Sequence, residues 1–150
     1  MKLSCLTVAL LLSCVAGPAY AAGGDRTYLT SPMGERHHLP FSSGVVVGNT
    51  LYIAGTTAIG PGEKNSLSAS QEARAVMDDV KRVVERAGMT MDDIVSVQVF
   101  CTNLDDYGAF NRVYATYFYR HYPARAFIGV ASLLFGARYE VMGVAVRAKP

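Results

Sequence analysis

Strand-like and helix-like hydrophobic patterns alternate along this chain, and their order restricts the folds that it can adopt. Short runs rich in valine, isoleucine and tyrosine predict strands, whereas two longer segments with apolar residues three and four positions apart predict helices. The predicted order is strand, strand, helix, strand, helix, strand, strand. This order is typical of an α+β protein in which a mixed sheet carries both helices on one face.

Local signals place the ends of several elements. Gly48-Asn49 separates two apolar runs and predicts a hairpin turn. Ser68 and Gln71 form a capping box at the start of the first helix, and Gly88 is expected to end that helix. The second helix is expected to begin near Asp105 or Asp106 and to end before Pro123, because proline cannot continue a helix.

The strand expected at 94–102 follows the first helix. Alternate residues of a strand point to the same side of the sheet. The strand is therefore predicted to place four residues on one face: Val95, Val97, Val99 and Cys101. Cys101 is expected to be a buried, inert thiol, since no sequence signature pairs it with a catalytic histidine.

The last strand, around 139–146, is apolar on both faces. A sheet that is covered on one side only should show alternating apolar and polar residues. Two helices can cover one face, so something else must cover the second. We therefore expect this chain to associate with further copies of itself through that face.

Two charged residues interrupt the apolar C-terminal strands, Arg125 and Glu140. Burying a charge is costly unless the charge is paired or has a task. An arginine suits a carboxylate, and a glutamate in an apolar setting can transfer protons near neutral pH. Two interpretations stay open at this point: a site for a small carboxylate, or a buried ion pair that only sets strand register.

Several motifs together suggest a family. Pro-Ala-Arg ending at Arg125 precedes Glu140 in an apolar strand, and Val-Ala-Val-Arg ends at Arg147. Upstream are Leu51-Tyr52-Ile53-Ala54-Gly55, then Ala87-Gly88-Met89 with Asp92-Asp93-Ile94-Val95, and then Phe100-Cys101-Thr102-Asn103-Leu104-Asp105-Asp106-Tyr107 with Asn111. Over residues 41–147 the chain resembles the RidA/YjgF family of small imine deaminases.

The resemblance implies an architecture and a reaction. The body of the chain, 43–150, would be a chorismate-mutase-like subunit of a homotrimer, with a site in each cleft between subunits. The reaction would be hydrolysis of 2-imino acids and their enamine tautomers to 2-keto acids and ammonia. It would require no organic cofactor and no metal, because an imine is already electrophilic.

The resemblance also implies roles for individual residues. Arg125 would bind the substrate carboxylate through paired hydrogen bonds, and Glu140 would orient a water molecule and carry its proton. Backbone amides near Gly55 and Phe127 would line the pocket, and Asn111 would lie at its edge. Phe41 would stand in the pocket wall.

Three positions depart from the family pattern. Phe41 stands where many relatives have tyrosine, Ala54 where serine is frequent, and Phe127 where a small residue is common. Each change makes the expected pocket more apolar. The arginine and the glutamate are kept, so the reaction class stays credible while the substrate preference stays open.

Strand register gives a separate expectation for the charged pair. If the last two strands form a hairpin around 134–137, Glu140 lies opposite Ala131. Arg125 and Glu140 would then be on the order of 20 Å apart within one subunit. In that arrangement they could share a site only across an interface.

The N-terminus reads as an export signal. A positive start, an apolar run and Ala19-Tyr20-Ala21 predict a signal peptide over 1–21, with an irregular extension over 22–42 in which a short strand near 27–30 could form. The expected location is periplasmic. Two alternatives stay open: a lipoprotein anchored at Cys14, and a retained membrane anchor, although the run is short for a membrane span.

Charge and histidine placement argue against other classes. The 14 basic and 12 acidic residues form no basic block, which disfavours a nucleic-acid surface. His37 and His38 are adjacent in an expected loop, where a histidine pair is usually solvated, and His121 lies far along the chain, which disfavours a metal site. The alternative to an enzyme is a non-catalytic trimer that binds a small carboxylate or acts as a holdase.

Overall fold

The computed structural model describes residues 25–148, which form a single six-stranded sheet. The strands are β1 (Arg26–Leu29), β2 (Gly44–Val47), β3 (Thr50–Thr57), β4 (Ile94–Cys101), β5 (Ala124–Gly129) and β6 (Tyr139–Val146). Their order across the sheet is β1-β2-β3-β6-β4-β5. Only the β4–β5 pair among these strands is parallel, so the sheet is mixed, as the sequence predicts. The predicted signal peptide lies outside the described residues.

Within residues 25–148, three α-helices accompany the sheet: α1 (Pro32–Arg36), α2 (Ala69–Arg86) and α3 (Tyr107–Tyr114). The two longer ones, α2 and α3, pack on one face, which confirms the predicted arrangement. The short helix α1 follows β1 and was not predicted. A 3₁₀ turn at Leu104–Asp106 leads into α3, and another at Ala115–Tyr117 extends it.

The sequence signals for α2 are confirmed at both ends. Ser68 is the N-cap, and its hydroxyl accepts a hydrogen bond from the Gln71 amide at 3.4 Å. The Gln71 side chain accepts from the Ser68 amide at 2.9 Å, which completes the capping box. Gly88 has a φ of 69°, the left-handed conformation that glycine adopts readily just after a helix.

The predicted hairpin joins β2 and β3. Val47 pairs with Thr50, and Gly48 between them has a φ of 60°. Positive φ at this position suits a tight hairpin turn whose twist matches the strands. The strand near 27–30 is present as β1, which pairs with β2 and forms one edge of the sheet.

The prediction that Val95 shares a face of β4 with Val97, Val99 and Cys101 is wrong. Val97, Val99 and Cys101 are buried beneath the helices, but Val95 is 47 % exposed and Ile94 is buried instead. The pairing of β4 with β6 shifts register between Ile94 and Ser96. This irregularity reverses the side-chain alternation at the start of the strand, which a strict period of two does not anticipate.

The last two strands do not form the supposed hairpin. β6 lies between β3 and β4, and β5 pairs with the far side of β4. Glu140 therefore lies opposite Phe100 and Thr57, not opposite Ala131. A parallel β4–β5 pair requires a long crossover, and α3 with its flanking turns supplies it. The separation of about 20 Å between Arg125 and Glu140, which assumed that hairpin, therefore does not apply.

The core lies between the sheet and helices α2 and α3. The predicted apolar stripe of α3 and its extension is buried: Phe110, Val113, Tyr114, Tyr117 and Phe118. The other face of the sheet, which we call the open face, is not covered by α2 or α3. Its apolar residues include Tyr28, Tyr52, Ile128 and Met142, which are between 37 % and 62 % exposed.

Candidate functional site

Arg125 lies on β5, on the face that the helices cover. It pairs in register with Val97, a core residue of β4, so its side chain leaves the sheet toward α3. One guanidinium nitrogen, Nη2, donates a hydrogen bond to Asn111 Oδ1 at 2.7 Å. Asn111 is on the second turn of α3, so α3 and β5 bring these two predicted site residues together.

Aromatic rings surround the Arg125 guanidinium. Its central carbon is 4.5 Å from the centroid of the Tyr114 ring and between 5.7 and 5.9 Å from those of Tyr107, Phe110 and Phe127. Arginine stacks readily on aromatic faces, and partial removal from water strengthens the attraction. The rings therefore hold the guanidinium in place while part of the side chain stays accessible.

Phe127 is one of these surrounding rings. Its ring meets the Tyr107 ring edge-on at 5.0 Å and the Phe110 ring at 5.4 Å. It follows Arg125 by two residues on β5, so both side chains are on the same face. The aromatic residue at this position fills space beside the arginine.

Glu140 lies on the open face with Gly55 against it. A Cβ atom added to Gly55 would overlap the Glu140 carboxylate oxygen Oε1. A side chain at position 55 would therefore displace the Glu140 carboxylate, whereas the φ of Gly55 makes no special demand for glycine. β3 is irregular between Ile53 and Thr56, and this bulge carries Gly55 next to Glu140.

Phe41 lies in the segment before β2. The Ser43 carbonyl accepts a hydrogen bond from the Ala54 amide at 3.1 Å, which ties this segment to the residue before Gly55. The Phe41 ring is 54 % exposed. The segment thus presents an aromatic ring to solvent.

The predicted site residues therefore form two groups on opposite faces of the sheet. Arg125, Asn111 and Phe127 form the arginine group on the helix face. Glu140 and Gly55 form the glutamate group on the open face. From the register, the Cα atoms of Arg125 and Glu140 are roughly 14 Å apart, two strands across and three residues along.

Within one chain, this geometry excludes one of the two interpretations of Arg125 and Glu140, namely the buried ion pair. No ion pair joins Arg125 to any carboxylate among residues 25–148. A buried Arg125–Glu140 salt bridge that sets strand register is therefore absent from the described subunit. Arg125 keeps N–H donors that Asn111 does not use.

Tyr107 is a residue of the arginine group that the sequence did not single out. It is the first residue of α3 and 47 % exposed. A hydrogen bond from the Asn111 side chain, followed by the positive charge of Arg125, lowers the pKa of its hydroxyl below the usual value. Its spacing of four residues from Asn111 was the available sequence signal.

Glu72 is a charged residue that the sequence did not single out, and its contacts hold elements of the fold together. Its carboxylate is fully buried and accepts hydrogen bonds from Asn65 Nδ2 at 2.8 Å and from the Tyr139 amide at 3.3 Å. Arg138 Nη1 forms an ion pair with it at 3.2 Å. These contacts join the start of α2 to the start of β6, directly before Glu140.

Cys101 is buried as predicted, and burial raises the pKa of its thiol. Since the thiolate is the reactive form, this environment does not activate the cysteine. Within residues 25–148, no group of three or more histidine, cysteine, aspartate or glutamate side chains is placed to hold a metal ion. In the same range, no helix has the length and apolar character needed to cross a membrane.

Comparison with known proteins decides the family. The family model described as Endoribonuclease L-PSP matches residues 35–147. The chain belongs to this family, RidA/YjgF. The resemblance drawn from the sequence motifs is thereby confirmed. The described sheet and helices match the family's chorismate-mutase-like fold, as predicted.

Curated proteins and solved structures of the RidA/YjgF family are similar to this chain. A 2-iminobutanoate/2-iminopropanoate deaminase of Dermatophagoides farinae is 32 % identical over 120 residues, covering 79 % of this chain and 94 % of the relative. The Yersinia pestis Rid-family protein YyfA, of unknown function, is 27 % identical with a TM-score of 0.74, covering 82 % of this chain and all of that one. Escherichia coli TdcF, solved with bound serine, is 31 % identical with a TM-score of 0.67, covering 73 % and 89 %.

Proposed function

We propose that this RidA/YjgF protein hydrolyses 2-imino acids, and their enamine tautomers, to 2-oxo acids and ammonia. The proposal rests on the contacts that Arg125 makes. Its guanidinium is held by Asn111 and four rings, and it has no carboxylate partner among the described residues. The deaminase name of the Dermatophagoides farinae relative, at 32 % identity, indicates the reaction.

The proposed site lies between subunits of a homotrimer. Arg125 and Glu140 are on opposite faces of one sheet, so a small molecule that touches both must bridge two copies of the chain. The open face supports this assembly because it exposes Tyr52 and Met142 to solvent in the single chain. Apolar surface of this kind is favourable to bury against another subunit.

The proposed chemistry needs one water molecule and one proton carrier. Arg125 binds the substrate carboxylate and Asn111 holds the arginine. The Glu140 carboxylate of the neighbouring subunit accepts a proton as water attacks the imine carbon and returns it to the nitrogen, which gives a neutral carbinolamine. The carboxylate then takes the proton of the carbinolamine hydroxyl and passes it to the nitrogen. The C–N bond breaks, the carbonyl forms and ammonia leaves. Substrate and water together supply every atom of the 2-oxo acid and ammonia.

The remaining predicted residues shape the site in this proposal. Gly55 leaves the space that the Glu140 carboxylate occupies. Phe127 and Phe41 form apolar walls beside the arginine and glutamate groups. Positioning of substrate and water is expected to supply most of the rate, since the imine is electrophilic without a metal or an organic cofactor.

The test is an assay in which an amino-acid oxidase generates imino acids in the presence of the purified protein. Wild-type protein should accelerate release of the 2-oxo acid and ammonia. Arg125→Ala should lower kcat/KM by at least about 100-fold, because hydrogen bonds to a charged group each contribute about 1.5–3 kcal/mol. Arg120→Ala, at an exposed arginine outside the site, should retain activity.

Two results would overturn the proposal. Absence of acceleration by folded wild-type protein would exclude the deaminase, and binding of a 2-oxo acid without turnover would favour the non-catalytic carboxylate-binding trimer. Equal rates for wild type and Arg125→Ala would show that the arginine does not bind substrate.

We also propose that the protein is exported, with residues 1–21 removed as a signal peptide. Ala19-Tyr20-Ala21 supports this proposal because small residues at these positions fit a signal peptidase. Mass spectrometry of protein from a bacterial periplasmic fraction should find an N-terminus at Ala22. A lipid-modified N-terminus at Cys14 would indicate a lipoprotein, and an intact N-terminus would contradict export by cleavage.

A further inference from the structure

Tyr107 stands at the accessible edge of the arginine group. Its ring centroid is 5.8 Å from the Arg125 guanidinium carbon, and its ring meets the Phe127 ring edge-on at 5.0 Å. These two contacts fix the ring from two sides. With 47 % of the residue exposed, its hydroxyl can meet a ligand that approaches Arg125.

Asn111 binds Arg125 and lies on the same side of α3 as Tyr107. The two α3 residues 107 and 111 are one helical turn apart and face the same side. Asn111 Oδ1 accepts from Arg125 Nη2 at 2.7 Å, which leaves its amide N–H donors available for the phenolic oxygen. A phenolic oxygen that accepts a hydrogen bond from an amide keeps its own O–H free to donate.

The electrostatic surroundings strengthen this donor. Asn111 first and Arg125 second lower the pKa of Tyr107, because both stabilise negative charge on the phenolic oxygen. A more acidic phenol that still holds its proton donates a stronger hydrogen bond to an anion. The hydroxyl is thus polarised in the direction that favours contact with a carboxylate.

We propose that Tyr107 contacts substrate and determines its specificity, by donating its O–H to the ligand carboxylate that Arg125 binds. This inference rests on the proposed function of the same site. A carboxylate has about four acceptor positions, and a bidentate arginine uses two of them. Tyr107 satisfies a third and makes the site select a full carboxylate over an ester or an amide, which offers fewer and weaker acceptors.

The experiment compares binding of 2-oxobutanoate to wild-type protein and to Tyr107→Phe by isothermal titration calorimetry. The substitution keeps the ring, and with it the contacts to Arg125 and Phe127, and removes only the hydroxyl. The Kd of Tyr107→Phe should rise by about 10- to 100-fold, the range for one hydrogen bond to a charged group. Wild type should bind the methyl ester of 2-oxobutanoate weakly, and the variant should discriminate less between acid and ester.

A spectroscopic readout separates this contact from a structural effect. Tyrosinate repels a carboxylate, so bound 2-oxobutanoate should raise the pKa of Tyr107. The ultraviolet absorbance of tyrosinate reports this shift in wild-type protein. Tyr107→Phe should lack the signal. Wild-type affinity should fall as pH rises through that pKa, while the affinity of the variant should not follow this profile. Tyr119→Phe, at a tyrosine that is 88 % exposed, is the matched control and should behave as wild type.

The possible results test the Tyr107 contact and the proposed deaminase activity separately. Loss of affinity in Tyr107→Phe without any turnover by wild type would support the carboxylate contact and overturn the enzyme. Turnover with unchanged Kd, KM and acid–ester discrimination in Tyr107→Phe would overturn the contact and leave the enzyme standing. Failure of wild type to bind 2-oxobutanoate would overturn the contact as well.

Discussion

Arg125 and Glu140 lie on opposite faces of the sheet, on two strands that flank β4. Arg125 pairs with Val97 beneath the helices, whereas Glu140 pairs with Phe100 on the open face. The sheet itself separates them, so neither side chain can reach the other's pocket within one subunit. An activity that needs both residues must therefore depend on assembly.

The first prediction concerns this dependence. Arg125→Ala and Glu140→Ala should each be inactive as pure oligomers. After the two variants are unfolded together and refolded, about one quarter of the sites should combine an intact arginine with an intact glutamate from a neighbouring subunit. Activity of the mixture should recover to roughly that fraction of wild type in the oxidase-coupled assay.

Native mass spectrometry supplies the control for this experiment, because it reports whether mixed oligomers form. Mixed trimers without recovered activity would contradict a site shared between subunits. A monomeric wild-type protein in light scattering would contradict it equally.

The second prediction concerns the glycine beside the glutamate. In Gly55→Ala, the added methyl group occupies the position of the Glu140 carboxylate oxygen and must displace it. We expect kcat to fall by about 100-fold, the cost of a catalytic group misplaced by about 1 Å, with an unfolding temperature close to that of wild type.

Gly108→Ala is the matched control for this substitution. Its added Cβ would meet Arg112 Nη1 at 3.6 Å, an ordinary contact, and alanine favours a helix over glycine. This control should retain activity and gain slightly in thermal stability. Wild-type kcat in Gly55→Ala would show that the observed position of the Glu140 carboxylate is not needed.

The third prediction concerns the buried carboxylate of Glu72. Replacing it with alanine leaves Arg138 without its buried partner and removes acceptors from the Asn65 side chain and the Tyr139 amide. We expect Glu72→Ala to lower the free energy of unfolding by about 3–5 kcal/mol, measured by urea denaturation.

Glu85→Ala tests whether any charge change on α2 has the same effect. Glu85 is exposed and pairs with Lys81 at 3.7 Å on the helix surface. Such pairs contribute about 0.5 kcal/mol or less, so this variant should unfold almost as wild type does. Similar losses in the two variants would contradict a structural role specific to Glu72.

The fourth prediction concerns Tyr114 and alkaline pH. The residue is 4 % exposed, and its hydroxyl has no hydrogen-bond partner within residues 25–148. Burial raises its pKa to about 12, although the charge of Arg125 opposes the shift. The folded state therefore holds the phenol proton more tightly than the unfolded state, whose tyrosine pKa is about 10.

The sign of the effect follows from this difference. The stabilisation is complete below about pH 10 and is lost as pH rises toward about 12, by roughly 2–3 kcal/mol in total. Tyr114→Phe should remove this part of the alkaline loss. At pH 7 it should equal wild type or exceed it by up to about 2 kcal/mol, because no hydrogen bond is lost.

Urea unfolding at pH 7 and at pH 11 checks this prediction, and Tyr119→Phe at an exposed tyrosine is the control. Destabilisation of Tyr114→Phe by more than about 1 kcal/mol at pH 7 would show that the hydroxyl has a partner. A pH dependence identical to that of wild type would contradict the raised pKa.

Local sequence signals predicted much of the fold correctly. Ser68 with Gln71, Gly88, and the Gly48-Asn49 turn each act through neighbouring backbone groups, so their effect can be read without knowledge of distant residues. Strict strand alternation gave the wrong face at Val95, and the supposed C-terminal hairpin does not form. Both errors concern which strands pair and in which register, and distant parts of the chain decide that.

The sequence by itself identified Arg125 and Glu140, because a charge inside an apolar strand is visible in one dimension, and the motifs around these residues were enough to recognise the RidA/YjgF family. Only the tertiary structure decided their surroundings. Insertion of β6 between β3 and β4 put Glu140 against Gly55 on the open face, while the crossover through α3 brought Asn111 and Tyr107 to Arg125 on the other. The physical reason is that strand order sets which side chains meet, and strand order depends on burial of the whole sheet and not on any single segment.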